Sequence, residues 1–487
     1  MVHTYGQWIG GKEVRSRSGK TFVTLNPATE QVLARFPQGT RHDVDAAVKE
    51  AKKAQKKWAA VPAPHRGQIL LDVARLLKRD KVRLGRLVST EMGKVLSEGL
   101  GDVQEAIDIF EYMGGEGRRL FGHTTPSELP HKFCATTRRP LGVVGLITPW
   151  NFPLAIPAWK ISPALICGNG VVFKPSSDTP LCAYELVRIC EDAGVPKGVI
   201  NMVTGSGEEV GTRMITHPEI RGISFTGSRG VGEEVVKNAG LKKVGLELGG
   251  KNAIIIMDDA DLDLAGEGVM FGAFGTTGQR CTACSRVIVH APIKREVEEM
   301  LLKRTERLRL GNPLKSSTDV GPLVAKRAVE KTHSYTLIGK RERAKILTGG
   351  SVVKGKGFFY TPTIFTKVKP RMRIAQEEIF GPTLSLIVAK NRDEALSICN
   401  GVEYGLSAAM YTTDVQNAFL AMERMETGII YINSSTIGAE VHLPFGGVKK
   451  TGNGTREAGI EGIHEFSETT TVYVDYSGRL QKAQGIK

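Results

Sequence analysis

No stretch of the chain approaches an uncharged apolar run of about 18 residues, so a helical membrane span is not expected. The opening stretch, MVHTYGQWIGGKEV, lacks the basic start and apolar core of a secretory signal. Cysteine is scarce. Seven are scattered over 487 residues, an odd number that argues against a disulfide framework and for a reducing, cytoplasmic setting. Asn and Gln together make up roughly one residue in twenty while Lys, Arg and Glu are plentiful, a balance that points to a heat-adapted, thermostable protein. No repeat or low-complexity tract is present. What remains is an ordinary globular composition, 41% hydrophobic with 56 glycines, at a length that implies two or three domains.

The net charge of +15 raises the question of nucleic acid. The basic runs KKAQKKW (52–58) and KRDKVRLGR (78–86) alternate with apolar residues at helical spacing. They read as the wet faces of amphipathic helices rather than as a nucleic-acid patch. Neither nucleic acid nor membrane is expected as a partner.

Residues 41–61 and 66–93 carry helical periodicity. From Pro140 the texture changes. Short apolar segments (142–150, 170–181, 199–211, 221–240, 242–257) alternate with turns and helix-like stretches such as 181–194. That alternation predicts an α/β fold, a parallel sheet covered by helices, with ligands at the carboxyl ends of the strands. A second α/β series begins near Asp261. Two segments differ, 118–140 and the tail from Ser467. Both are β-like, and lone strands need a sheet to join, so they are expected to pair with each other and then with another subunit.

The stretch GTTGQRCTACSR (275–286) holds Cys281 and Cys284 in a C-x-x-C spacing. Structural zinc needs a second pair, and the nearest histidine, His290, stands alone in a strand. A thioredoxin-type dithiol belongs to a smaller fold. An inert buried pair and a single catalytic thiol remain. A cysteine entering a helix would have its thiolate favoured by the helix N-terminus. Such a thiol also needs an oxyanion donor and a base. TPWNFP places Asn151 at the end of an expected strand, where a cap or turn role competes. LELGGKN places Glu247 inside an otherwise apolar strand, a costly position for a carboxylate that is neither paired nor functional.

Taken in order, PWNFP, FTGS, LELGGKN, GQRCTA, EEIFGP and PFGGVKKTG resemble the NAD(P)-dependent aldehyde dehydrogenase superfamily, over nearly the whole chain from NPATEQVLARF (26–36) to the tail. The resemblance implies a Rossmann-type parallel-sheet cofactor domain (1–117 and 141–249), a catalytic α/β domain (250–466) and a small β oligomerisation segment (118–140 and 467–487). It implies Cys281 as the nucleophile, Asn151 as the oxyanion donor and Glu247 as the base that hydrolyses a thioester, with Cys284 a bystander. It implies no metal. The cofactor residues it carries over are Lys174 with Ser176 and Ser177, then Phe225, Thr226, Gly227, Ser228 and Gly232. Glu378 and Phe380 follow, while Ile147, Thr148, Pro149, Trp150, Gly207, Gly211, Leu248 and Gly249 are expected along the same cleft. Glu468 resembles a second, proton-relaying glutamate.

One departure is informative. NAD-preferring members commonly carry Glu three residues after the lysine, where this chain has Ser177. NADP+ is therefore expected to be preferred, with NAD+ also possible. Glu247 favours a free-acid product over transfer to coenzyme A. An inert structural relative would have lost Cys281, Glu247 or Asn151. Within the superfamily the chain resembles the 2-oxoglutarate semialdehyde dehydrogenase branch, which makes Arg280 and His442 candidate anchors for a substrate carboxylate. Simple aliphatic or aromatic aldehydes remain equally open. A homo-oligomer, a dimer of dimers, is expected.

Overall fold

The computed structural model describes residues 2–485; Met1 and the last two residues of the C-terminal segment lie outside the described residues. Two seven-stranded sheets form the frame. In the first, Lys243–Glu247, Ile220–Thr226, Val143–Ile147, Gly170–Lys174 and Ile200–Met202 lie side by side and parallel. Gln7–Trp8 and Glu13–Val14 extend it antiparallel. The central strands are buried throughout, as VVGLI and GVVFK require when helices cover both faces. In the second sheet Thr363–Thr366, Thr383–Ala389, Cys284–His290, Asn252–Ile256, Ser407–Tyr411 and Ile429–Ile432 run parallel. Lys345–Thr348 closes one edge antiparallel.

Helices Arg41–Ala60, Ala63–Arg79, Lys81–Met92 and Leu96–Glu116 form an N-terminal layer. Asp43 starts the first of them by accepting hydrogen bonds from the Thr40 backbone N–H at 2.8 Å and its hydroxyl at 3.0 Å. The periodicity of residues 66–93 runs unbroken in sequence, yet the helix breaks at Asp80, whose ψ of 8° leaves the helical range. Asp80 accepts ion pairs from Arg79 and Arg83 there.

The chain passes directly from Glu247, the last residue of a strand in the first sheet, to Asn252, the first residue of a strand in the second. Four residues therefore connect the two sheets. Late in the chain, Ala458, Ile463 and Phe466 return to the first core beside Trp159 and Leu165. The strands Lys132–Pro140 and Ser467–Asp475 pair antiparallel over their full lengths, with Thr124–Thr125 on the far side. No helix among the described residues is long and apolar enough to cross a membrane.

Candidate active site

Cys281 does not enter a helix; of the helix or turn expected to carry the cysteines, the structure has the turn. The helix Leu262–Phe274 ends before it, and a short turn, Gly275–Gly278, leads to the strand Cys284–His290. Glycine content and backbone conformation explain the turn. Thr276, Thr277 and Gly278 have φ of 51°, 57° and 69°, which no continuing helix tolerates. Three left-handed residues in succession are costly and persist only where surroundings fix them. Glu98 accepts the Thr276 N–H at 2.7 Å, and Thr277 donates its hydroxyl to the Gly321 carbonyl at 3.1 Å. A Cβ on Gly278 would run into the Gly381 carbonyl, so glycine is required there. Beyond the turn, Asn252 donates to the carbonyls of Cys281 (2.7 Å) and Ala283 (3.0 Å). Cys284 is buried in the second core, with its thiol turned to the Arg286 carbonyl.

Cys281 lines a cleft of about 340 Å³ with Asn151, Leu248, Gly249, Glu378 and Phe380. Burial, then the charges of Glu247 and Glu378, push its thiol up to about 12, so the resting group is an uncharged thiol. Asn151 is buried, and its Nδ2 donates to the Gln279 carbonyl at 3.0 Å. An amide nitrogen carries two hydrogens, which leaves one free beside Cys281. Glu247 is buried with neither carboxyl oxygen hydrogen-bonded. Burial, then the Glu457 charge, raises its affinity for a proton well above the ordinary carboxyl range.

Asp102 braces the Asn151 loop. It accepts the N–H groups of Leu154 (3.3 Å) and Ala155 (2.7 Å), which open the helix Ala155–Ile166, and it pairs with Lys94 at 3.0 Å. Both side chains are fully buried. Asp102→Ala is expected to destabilise the fold by about 3–5 kcal/mol, because the Lys94 charge is left uncompensated; denaturant unfolding measures it.

A groove of about 890 Å³ continues from the cleft. Ile147, Thr148, Pro149, Trp150, Lys174, Ser176 and Ser177 line it, with Gly207, Gly211, Phe225, Thr226, Gly227 and Ser228. These positions lie at the carboxyl ends of the first sheet's strands, where open parallel sheets receive ligands. Ser228 caps the helix Arg229–Ala239 without a side-chain hydrogen bond, leaving its first N–H groups for an anion. Lys174 is buried, donates to the Pro175 carbonyl at 3.0 Å, and is lowered by burial to about 8. Glu378, on the cleft wall, accepts the Gly250 N–H at 2.9 Å, and Phe380 stands edge-on to Trp150 at 5.5 Å. Gly232 lies outside the groove lining, in the first turn of its helix against Leu248. A partly exposed thiol and a free amide hydrogen thus share the cleft at the inner end of the groove, with an unpartnered carboxyl close enough to act on the thiol.

The model of the aldehyde dehydrogenase family matches residues 14–472. The chain belongs to that family. It is 40% identical over 480 residues to the alpha-ketoglutaric semialdehyde dehydrogenase of Bacillus subtilis, covering 97% of this chain and 98% of the relative. It is 40% identical over 473 residues to the 2,5-dioxopentanoate dehydrogenase of Saccharolobus solfataricus, covering 96% and 98%. The crystal structure of betaine aldehyde dehydrogenase from Staphylococcus aureus in complex with NAD+ superimposes with a TM-score of 0.95 at 34% identity, over 98% of this chain and 95% of that one. This aldehyde dehydrogenase is an NAD(P)-dependent oxidoreductase with the family's α/β fold.

Three expected site residues of this aldehyde dehydrogenase lie elsewhere. Arg280 does not line the thiol cleft. It pairs with Glu98 at 3.0 Å, donates to Thr276 at 2.9 Å, and packs over Phe152 and Phe271. Its charge is matched by Glu98, and it braces the Cys281 loop. Arg280→Ala is therefore expected to lower kcat/KM by the same factor for a short alkyl aldehyde and for a carboxylated semialdehyde, in steady-state assays of both. His442 is half exposed, 3.6 Å from Glu440, and outside the cleft. Glu468 is exposed on the strand Ser467–Asp475, opposite Arg139.

The carboxylates that do approach Glu247 are Glu457 and Glu465. Lys160 pairs with Glu457 and donates to Ser224 at 2.7 Å, all of it buried. The available signal was Lys160 itself, a charge inside the apolar run AIPAWKISPALI. Arg327 and Lys331 of the helix Lys326–Arg341 also line the cleft, and Arg327 pairs with Asp178 across the groove.

Proposed function

We propose that the chain oxidises an aldehyde to the free acid through a thioester on Cys281. What carries this reading is that Cys281 and the free Asn151 amide hydrogen share one cleft, with the unpartnered Glu247 carboxyl near enough to act on the thiol through its charge. The Cys281 sulfur adds to the aldehyde carbon, and its proton leaves through Glu247 or water. The oxygen of the resulting thiohemiacetal becomes an oxyanion, stabilised by the Asn151 Nδ2–H and the Cys281 N–H. Bound in the groove, the nicotinamide supplies a hydride acceptor at the inner end, with Glu378 and Phe380 holding that end and Ser228 and Lys174 the outer one. The oxyanion then re-forms a carbonyl, the carbon loses hydride, and Cys281 carries a thioester. Glu247 takes a proton from water, whose oxygen attacks the thioester carbon, and the C–S bond breaks.

Acid quench during the first turnover, followed by peptide mass analysis, tests this. An acyl adduct on Cys281 and none on Cys284 is the expected result. An adduct on Cys284, or a product that forms only with coenzyme A, would overturn the reading.

The named activities of the Bacillus and Saccharolobus relatives support a semialdehyde carrying a carboxylate as substrate. A higher kcat/KM for such a semialdehyde than for its uncharged analogue of equal length is expected; equality refutes it.

NADP+ is the preferred cofactor in this reading. Ser177 lines the groove where a carboxylate would repel a 2′-phosphate, and its hydroxyl reaches only the Gly205 carbonyl at 3.4 Å. Asp178 nearby is neutralised by Arg327. Ser177→Glu is expected to raise KM for NADP+ at least about tenfold, a cost of about 1.4 kcal/mol, with KM for NAD+ little changed. An unchanged NADP+ constant would refute it.

Assembly follows from the exposed three-stranded sheet. Phe133, Tyr473, Val474 and Tyr476 are solvent-exposed there, which supports a homo-oligomer, a dimer of dimers. A monomer in sedimentation would overturn that. All seven cysteines are free, consistent with a reducing, cytoplasmic setting; disulfides in protein purified under alkylation would contradict it.

A further inference from the structure

We propose that Arg327 is a cofactor-selecting residue: its guanidinium holds the 2′-phosphate of NADP+ from across the groove, and Asp178 keeps it in position. This rests on the reading of Ser177 as the residue that faces the cofactor's 2′ position.

Arg327 is the second residue of the helix Lys326–Arg341, which follows the second sheet's Cys281 strand in the chain. Ser177 and Asp178 lie in the turn that leaves the strand Gly170–Lys174 of the first sheet. Arg327 Nη2 donates to the Asp178 carboxylate, so the guanidinium ends at the turn that carries Ser177. Asp178 is a firm post. Its N–H donates to the Ser176 hydroxyl at 3.3 Å, and its carbonyl accepts the Thr24 hydroxyl at 3.1 Å. Arg327 is 61% exposed, and pairs this open contribute little to folding. Its position is of more consequence than its pairing. Arg327 lines both the Cys281 cleft and the groove, along the path a dinucleotide takes between them.

The donors around the turn are largely unused. A guanidinium has five N–H groups, and Asp178 is the one acceptor among the described residues that Arg327 engages. Lys174 has three N–H groups and gives one to the Pro175 carbonyl. The Ser177 hydroxyl makes a single long bond, 3.4 Å to the Gly205 carbonyl. All three side chains line the same groove. A ribose 2′-hydroxyl can use only one such donor. A phosphate, with three acceptor oxygens and its negative charge, can use them all, and a guanidinium meets it with two parallel N–H groups. Asp178 does not oppose it, because Arg327 already stands against that carboxylate. Glu208 and Glu234 also line the groove, but both are exposed and belong to other elements. The 2′-phosphate would thus join the two sides of the groove, a link that NAD+ cannot make.

Calorimetric titration of the unliganded enzyme tests this with two probes, adenosine 2′,5′-bisphosphate and 5′-AMP. Both carry adenosine and a 5′-phosphate; only the first carries the 2′-phosphate. Wild type is expected to bind the bisphosphate more tightly. Arg327→Ala is expected to weaken the bisphosphate about tenfold, the loss of one charge-assisted contact, with 5′-AMP unchanged. Because Arg327 is exposed, the unfolding midpoint of the unliganded variant is expected to match wild type. Equal weakening of both probes would place Arg327 on the 5′-phosphate and overturn the proposal. A bisphosphate preference that survives in Arg327→Ala would reduce the residue to a surface ion pair and leave the Ser177 reading standing. Wild type that binds the two probes alike would sink both.

Discussion

Glu247→Gln is expected to form reduced cofactor once per active site and then stall, with steady turnover ~10²–10⁴ below wild type. The amide keeps the volume of the carboxyl in its buried site, so the fold and the approach of aldehyde to Cys281 are preserved. What disappears is the group that takes a proton from the attacking water. The pH dependence carries a defined sign. Burial and then Glu457 raise the proton affinity of Glu247, so its protonated form, which cannot act as a base, persists to higher pH than that of a free carboxyl. Wild-type turnover is therefore expected to rise with pH above the ordinary carboxyl range, and that rise is expected to vanish from thioester decay in Glu247→Gln. Rapid mixing with absorbance detection, across buffers at constant ionic strength, measures both features. A variant that turns over steadily would leave the carboxyl without its assigned task.

Asn151→Ala is expected to slow the first turnover itself, by about 10²–10³ in rate, or ~2.7–4 kcal/mol of transition-state stabilisation. The amide is fixed by its bond to the Gln279 carbonyl and by the Asp102-capped helix that follows it. It therefore reaches the developing oxyanion without reorganising. Removing it leaves only the Cys281 N–H to hold that charge. The distinction from Glu247→Gln is kinetic. Loss of Asn151 suppresses the burst, whereas loss of Glu247 spares it. The aldehyde KM is expected to change little, since the amide meets its partner mainly in the transition state. A full-rate burst in Asn151→Ala would refute the oxyanion role.

The strands of both sheets were legible because they are short apolar segments punctuated by Gly and Pro. Glu247 stood out for the same reason, as a lone charge in such a segment. The motifs singled out Cys281, Asn151 and the groove residues, which line one cleft and its groove in the structure. The conformation at Cys281 was not, because three left-handed residues depend on contacts with Glu98 and Gly381 that no local pattern announces. Arg280 was misread because its partner Glu98 lies 182 residues away. The proton-bearing neighbours of Glu247 were misplaced by a similar separation. Lys160 and Glu457 are 297 residues apart, and only the return of the chain onto the first sheet brings them together. Glu468, three residues after Glu465, is exposed on the strand Ser467–Asp475.

Glu247 and Asn252 close one strand and open another, and between them they hold the water-activating carboxyl and the carbonyl of the nucleophile. Base and thiol are thus tethered to a single short strap, although they belong to different sheets. Only four residues separate the strand ends that hold them, so the spacing of the two groups is the quantity in the site least able to change. An added residue anywhere in 248–251 lengthens the strap, and it is expected to disturb the spacing of carboxyl and thiol while leaving the groove intact.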